Sequence, residues 1–241
     1  MALPLYLALT AAEISAVSPL PDLCAYMACH FSPYTAGISN IPLTLPPGSM
    51  LILNDRLPCQ GHSADLVAGQ LSDAAARLGC ESILLDFQRP PEPEAETIVN
   101  AILSSVSCPV AITESFARHR DWPIFLSPAP LYLPMDEYLA PWQGREIWLE
   151  AALCQEEILI TEKGIHINSI FPTEQLSSGF YDEDLRCCYH THILEDSIRF
   201  TLFDTPESLN QKLELAAQLG ISRAVGLWQE LGTFPTGKSS A

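Results

Sequence analysis

The run Ser82-Ile83-Leu84-Leu85-Asp86-Phe87-Gln88 is short, apolar and finished by two polar side chains, and helical patterns bracket it on both sides. With the two-residue period of a strand, Ile83, Leu85 and Phe87 fall on one face and Leu84, Asp86 and Gln88 on the other. Upstream, Leu66, Val67, Leu71, Ala75 and Leu78 recur at helical spacing between Ser63 and a closing Gly79. Downstream, Arg89-Pro90-Pro91 stops the strand and a helical pattern resumes over 96–106. Helix, strand and helix in that order belong to an α/β protein with parallel strands. Such folds place chemistry at the carboxyl ends of strands, so Asp86 and Gln88 are site candidates. The plainer alternative is that both only cap the strand.

The rest of the chain repeats the theme. Residues 1–10 read as a first strand, 23–31 as a second with Tyr26, Ala28 and His30 sharing a face, and 50–55 as a third ending at Asn54 and Asp55. Residues 32–48, rich in proline, glycine and small polar side chains, are expected to form a long loop. Three further strands are expected at 109–114, 123–127 and 146–151, ending near Glu114, Ser127 and Glu150, with one or two helical turns at 135–142. Residues 157–171 and then 186–203 read as two antiparallel hairpins. A helix over 205–220 and an eighth strand over 222–229 close the pattern.

These elements predict a compact α/β barrel of the (β/α)8 TIM type, one domain over 1–232, with an antiparallel β-hairpin insertion at about 157–203, between strand 7 and the last helix. Residues 233–241 are expected to be a disordered tail. The length of 241 residues sits at the short end of what such a barrel needs.

Composition narrows the partners. Twelve basic against 29 acidic residues give a net charge of −17, spread along the chain, which opposes binding to nucleic acid. No apolar run approaches the ~18 residues of a membrane span, so no membrane partner is expected. The eight cysteines lack framework and C-x-x-C spacing, read as reduced, and signal neither zinc nor redox chemistry. No cofactor is signalled, and the cytoplasm is the default location.

From the seventh strand onward, Tyr189-His190-Thr191-His192, then Ile198 to Leu209 through Asp204-Thr205-Pro206-Glu207-Ser208, then Ser222-Arg223-Ala224-Val225-Gly226-Leu227-Trp228, follow one another as a hairpin, a helix and a final strand ending in tryptophan. In this order they resemble the family 18 glycoside hydrolases, the chitinase-like barrels that include spore peptidoglycan hydrolases. That family carries D-x-x-D-x-D-x-E on its fourth strand, and Glu81 to Gln88 lies over it. Glu81 and Leu84 replace the first two aspartates, Asp86 keeps the third, and Gln88 stands where the acid glutamate belongs. The resemblance implies substrate-assisted hydrolysis, in which that glutamic acid protonates the leaving oxygen while the sugar's own acetamido group attacks. An amide has no proton to give, and general acid catalysis is worth about 10²–10⁴-fold.

The first expectation is therefore a family 18-like barrel that has lost this hydrolysis and either binds an N-acetylglucosamine-containing oligosaccharide or peptidoglycan, or serves as a structural or interaction protein. Trp228 would stack on a sugar ring, or else plug the core at the barrel mouth, where Ala224 and Gly226 below it leave room on the inner face. Gln88 and Asp86 would hydrogen-bond the sugar, and Asn54, Tyr26 and His30 would line the site. The alternative is an active glycoside hydrolase with a rebuilt carboxylate site from Glu150, Glu114 and Asp86, in which Glu150 shares the inner face with Trp148. A third reading, a metal-dependent hydrolase using His30, Asp55, Asp86 and Glu150, has the weakest pattern, and His190 and His192 are expected to be solvated or to pack within the insertion hairpin. The relatives suggest spore or envelope association. The oligomeric state is open.

Overall fold

The structure, a computed structural model, describes residues 3–39, 41, 44–117, 122–170, 176 and 178–232; the predicted tail lies outside them. In chain order the elements are β1 (Leu5–Leu9), α1 (Ala11–Ala16), β2 (Cys24–His30), β3 (Met50–Asn54), α2 (Ala64–Leu78), β4 (Ser82–Asp86), α3 (Pro93–Ser105), β5 (Val110–Thr113), α4 (Glu114–Ala117), β6 (Ile124–Leu126), α5 (Met135–Leu139) and β7 (Ile147–Ala151). There follow β8 (Gln155–Thr161), β9 (Gly164–Ser169), β10 (Phe180–Asp182), β11 (Cys187–Ile193), β12 (Ser197–Phe203), α6 (Pro206–Gln218), β13 (Arg223–Leu227) and α7 (Trp228–Leu231).

β1 to β7 and β13 close a parallel barrel in which β13 sits between β7 and β1. Helix boundaries follow local chemistry. Ser63 accepts the Leu66 N–H to cap α2, and Gly79 ends that helix in the left-handed region at φ 66°, where a side chain would be strained. Thr205 and Ser208 form a reciprocal cap at the start of α6, with Pro206 in its first turn. Among the described residues, the covering helices between β5 and β7 are short: α4, α5 and a 3-10 turn over Ala140–Trp142.

The barrel is packed on both faces. Its interior holds Tyr6, Ala8, Ala25, Met50, Ile52, Leu84, Ala111, Phe125, Trp148 and Val225, whereas the alternate residues of the same strands pack outward under the helices. The amino-terminal end is plugged: the Arg223 guanidinium lies 4.9 Å from the Trp148 ring centre and 3.3 Å from Glu81, which also accepts from the Tyr6 hydroxyl. Glu81 thus serves the floor of the barrel, far from the mouth end of β4.

The insertion differs from two separate hairpins. β8 pairs with both β9 and β12, and a strand not read from the sequence, β10, adds to β11, giving one five-stranded antiparallel sheet in the order β10-β11-β12-β8-β9. His190 stacks on Phe203 with ring centres 5.2 Å apart, the packing role expected of it. A buried ion pair, Lys212 Nζ to Asp204 Oδ1 at 2.8 Å, ties the end of the insertion to α6, and Asp204 also accepts from Ser208 Oγ and the Cys154 N–H.

Candidate active site

The side chains at the barrel mouth follow from the interior by counting two residues up each strand. Ile52 leads to Asn54, Leu84 to Asp86, Ala111 to Thr113 and Trp148 to Glu150. Glu150 and Trp148 do share the inner face, and Ile147 and Leu149 lie in the outer core, as the sequence implies.

β2 breaks the count. Tyr26 pairs with Leu51 and Cys29 with Leu53, so three steps on β2 match two on β3, a β-bulge. The extra residue reverses the facing of everything beyond it. Tyr26, before the bulge and buried at 3% exposure, alternates with inward Ala25, packs in the outer core and does not line the mouth, while His30, beyond the bulge, comes opposite Asn54 on the inner face. The two do not share a face, contrary to the plain alternation. Asn54 holds the bulge: its Nδ2 donates to the carbonyls of Met27 (3.0 Å) and Cys29 (2.9 Å), and its Oδ1 accepts the Arg56 N–H (3.2 Å). Both of its donors are engaged, so Asn54 shapes the wall and has no amide proton left for a ligand. His30 Nδ1 lies 3.0 Å from the Phe31 carbonyl; a carbonyl only accepts, so Nδ1 donates to it and Nε2 faces away from this bond.

β4 ends at Asp86, and the turn after it is clamped. The carboxylate of buried Asp55 accepts the N–H groups of Gln88 (2.9 Å) and Arg89 (2.8 Å), and Arg89 Nε returns a bond to the Asp55 carbonyl (2.9 Å). Thr113 Oγ1 donates to the Phe87 carbonyl at 2.7 Å, and the Phe87 ring packs between Phe31 and Phe116. Within this frame Gln88 Nε2 donates to Asp86 Oδ1. Asp86 stands directly above Leu84, and burial raises its carboxyl; the Gln88 bond partly offsets this, while Asp55 adds to it.

Glu150 is the most perturbed carboxyl of the mouth. Burial, then the nearby Asp86 and then Glu230 push it up to about 7. Tyr138 of α5, which no motif in the sequence singles out, joins them. Its hydroxyl donates to the Ser127 carbonyl at 2.9 Å, and burial, with Glu114 and Glu150 nearby, pushes the phenol up to about 12. Its only sequence signal is an aromatic in the helical turns after the sixth strand. Glu114 opens α4 instead of finishing β5, and its charge still reaches Tyr138.

Trp228 is elsewhere. It begins α7, packs against the outer core and lays its indole over Gly232, where an added Cβ would meet the ring at 2.8 Å. Ala224 lies in the outer core, and Gly226 faces Leu231 of α7, so neither forms an inner floor beneath Trp228. The expected sugar platform is therefore corrected: of the named residues, the mouth gathers Asp86, Gln88, Glu150 and His30, with Asn54 as framework. Among the described residues no three His, Cys, Asp or Glu side chains come together as around a metal ion, and Asp55 is taken up by the clamp, so the metal-hydrolase reading gains no geometric support.

No family model matches the sequence, and no curated protein matches it either. Solved structures do. The glycoside hydrolase family 18 N-acetylglucosaminidase of Paenibacillus barengoltzii superposes with a TM-score of 0.57 over 93% of this chain and 94% of that one, at 10% identity. The chain has the fold of a family 18 barrel. The spore cortex-lytic enzymes SleL of Bacillus cereus and Bacillus megaterium both give a TM-score of 0.52, covering 93% and 94% of this chain and 70% of theirs, at 12% and 10% identity. At identities this low the superpositions establish the barrel fold alone and leave the chemistry to this chain's own residues.

Proposed function

We propose that this family 18-type barrel handles an N-acetylglucosamine-containing glycan at its mouth, that substrate-assisted hydrolysis through position 88 has been lost, and that the acid role has passed to Glu150 with Asp86 as its carboxylate partner. The observation carrying this is the position and state of Glu150: on the inner face, beside Asp86, and pushed up to about 7. Two carboxyls whose environments hold one neutral and leave the other to ionise are what acid-assisted glycoside cleavage needs. Neutral Glu150 gives its proton to the glycosidic oxygen as that oxygen's bond to the anomeric carbon breaks, the Asp86 carboxyl faces the positive charge that develops on the sugar, and a water adds to the anomeric carbon and returns a proton to Glu150. The glycan class comes from the fold neighbours, which are named as an N-acetylglucosaminidase and as cortex-lytic enzymes.

The test is incubation with N-acetylglucosamine oligosaccharides and peptidoglycan fragments, followed by mass spectrometry. Slow cleavage that disappears in Glu150→Gln, survives in Glu114→Gln and declines above about pH 7 is the expected result. The Gln88 amide bonded to Asp86 favours a second reading, a barrel that holds the glycan without cutting it. Calorimetric binding without any product would select that reading. Neither binding nor cleavage would remove the glycan from both.

A further inference from the structure

The insertion sheet carries one row of identical side chains across four strands. Ile193 pairs with Ile198, Ile198 with Ile160, and Ile160 with Ile165, so all four lie on one face in direct register. They are 82%, 39%, 37% and 64% exposed. In the next row on the same face Phe200 and Ile158 are half-buried while Thr191 and Ile167 at the edges stay exposed, and in the third Leu202 and Glu156 are buried. There Leu131 of the barrel covers the face, its N–H donating to Glu156 at 2.8 Å. The protein's own barrel thus covers the apolar face at one end and leaves the isoleucine row at the other end open. The opposite face is polar, with Arg199 paired to Glu157 at 3.2 Å.

We propose that this row is the contact surface for a second copy of the chain, packed face to face about a two-fold axis running along the row. The chemistry argues against a sugar or an anionic bilayer as the occupant. Aliphatic side chains offer no ring for a sugar to stack on. The turns beside the row carry Glu162, Glu195 and Asp196, and the chain's net charge is −17, which repels an anionic bilayer. The row contains no charged or hydrogen-bonding side chain, so it is complementary to itself, as a two-fold contact requires. The exposed isoleucines, with Ile167 behind them, present on the order of 500 Å² of apolar surface, a size that marks interaction sites on soluble proteins. Two such patches bury about 1,000 Å² before the flanking turns are counted, which reaches the lower bound of a stable interface. An axis parallel to the strands would bring the two barrels onto the same side and into collision. An axis along the row points them in opposite directions.

Sedimentation velocity of the full chain over a hundredfold concentration range tests this. The wild type is expected to dimerise. The double variant Ile165→Lys, Ile193→Lys changes two exposed positions and keeps the native circular dichroism. It should weaken the dimer by more than about a hundredfold, since each substitution enters a two-fold contact twice. His166→Lys, on the opposite face of β9, should leave the dimer intact. A wild type that stays monomeric overturns the proposal, as does a dimer that survives the double variant or is lost only in His166→Lys. A monomeric wild type whose glycan binding is weakened by the double variant would instead assign the row to the ligand.

Discussion

The state of Glu150 can be measured through folding, independently of any substrate. Its carboxyl titrates at about 7 in the folded chain against an ordinary 4.5. A raised carboxyl binds its proton more tightly when folded. It therefore contributes stability below the unfolded value, and that contribution is lost as pH rises through the folded one. Each pH unit that separates the two values corresponds to about 1.36 kcal/mol, so the full loss would be about 3 kcal/mol. Glu150 is partly reached by solvent, which screens the Asp86 and Glu230 charges and reduces the figure to roughly 2 kcal/mol. Gln has the shape of the protonated acid and does not ionise. Urea unfolding of wild type and Glu150→Gln should therefore agree at about pH 4, below the unfolded value, within a few tenths of a kcal/mol. At pH 8.5 the variant should be more stable by roughly 2 kcal/mol, a rise of about 5 °C in midpoint temperature for a chain of this size. Parallel pH profiles for the two proteins would refute the reasoning, because Glu150 would then titrate as an ordinary surface carboxyl.

Two packing predictions accompany it. Lys212→Met leaves Asp204 buried without its 2.8 Å partner and should destabilise the protein by about 3–5 kcal/mol in urea unfolding; replacing both partners together, Lys212→Met with Asp204→Leu, should recover most of that loss. Asn54→Ala removes the two bonds that hold the β2 bulge and should cost about 2 kcal/mol, with faster amide exchange across Met27 to His30 than elsewhere in the barrel.

Much of the barrel is legible in the sequence because its signals are local. Alternation along Ser82 to Asp86 and Ile147 to Ala151 puts Asp86 and Glu150 at strand ends on the inner face, and both residues are there. Ser63, Gly79, Thr205 and Pro206 mark helix ends through hydrogen bonds and dihedral limits that belong to a few neighbouring residues. The errors fall where one distant residue decides. Counting along β2 puts Tyr26 and His30 on one face, but Asn54 on the next strand captures two carbonyls of β2, and the bulge it holds turns His30 inward while Tyr26, before it, stays outward. The motif around Trp228 points it at a sugar site. In the folded chain, Gly226 admits Leu231 and Gly232 admits the indole, so α7 folds back on the outer layer. Pairing of β8 with β12 joins residues some forty apart, and no local pattern records it.

The sequence by itself therefore determined the barrel, the strand that carries Asp86, and the amide at Gln88 that cannot act as an acid, since period, capping and side-chain chemistry are properties of the residues themselves. Only the tertiary structure decided which mouth residues are free to act. Burial over Leu84, the proximity of Asp86 to Glu150 and the engagement of Asn54 and Asp55 depend on distances between segments far apart in the chain, and an electrostatic shift or an occupied donor exists only once those distances are set.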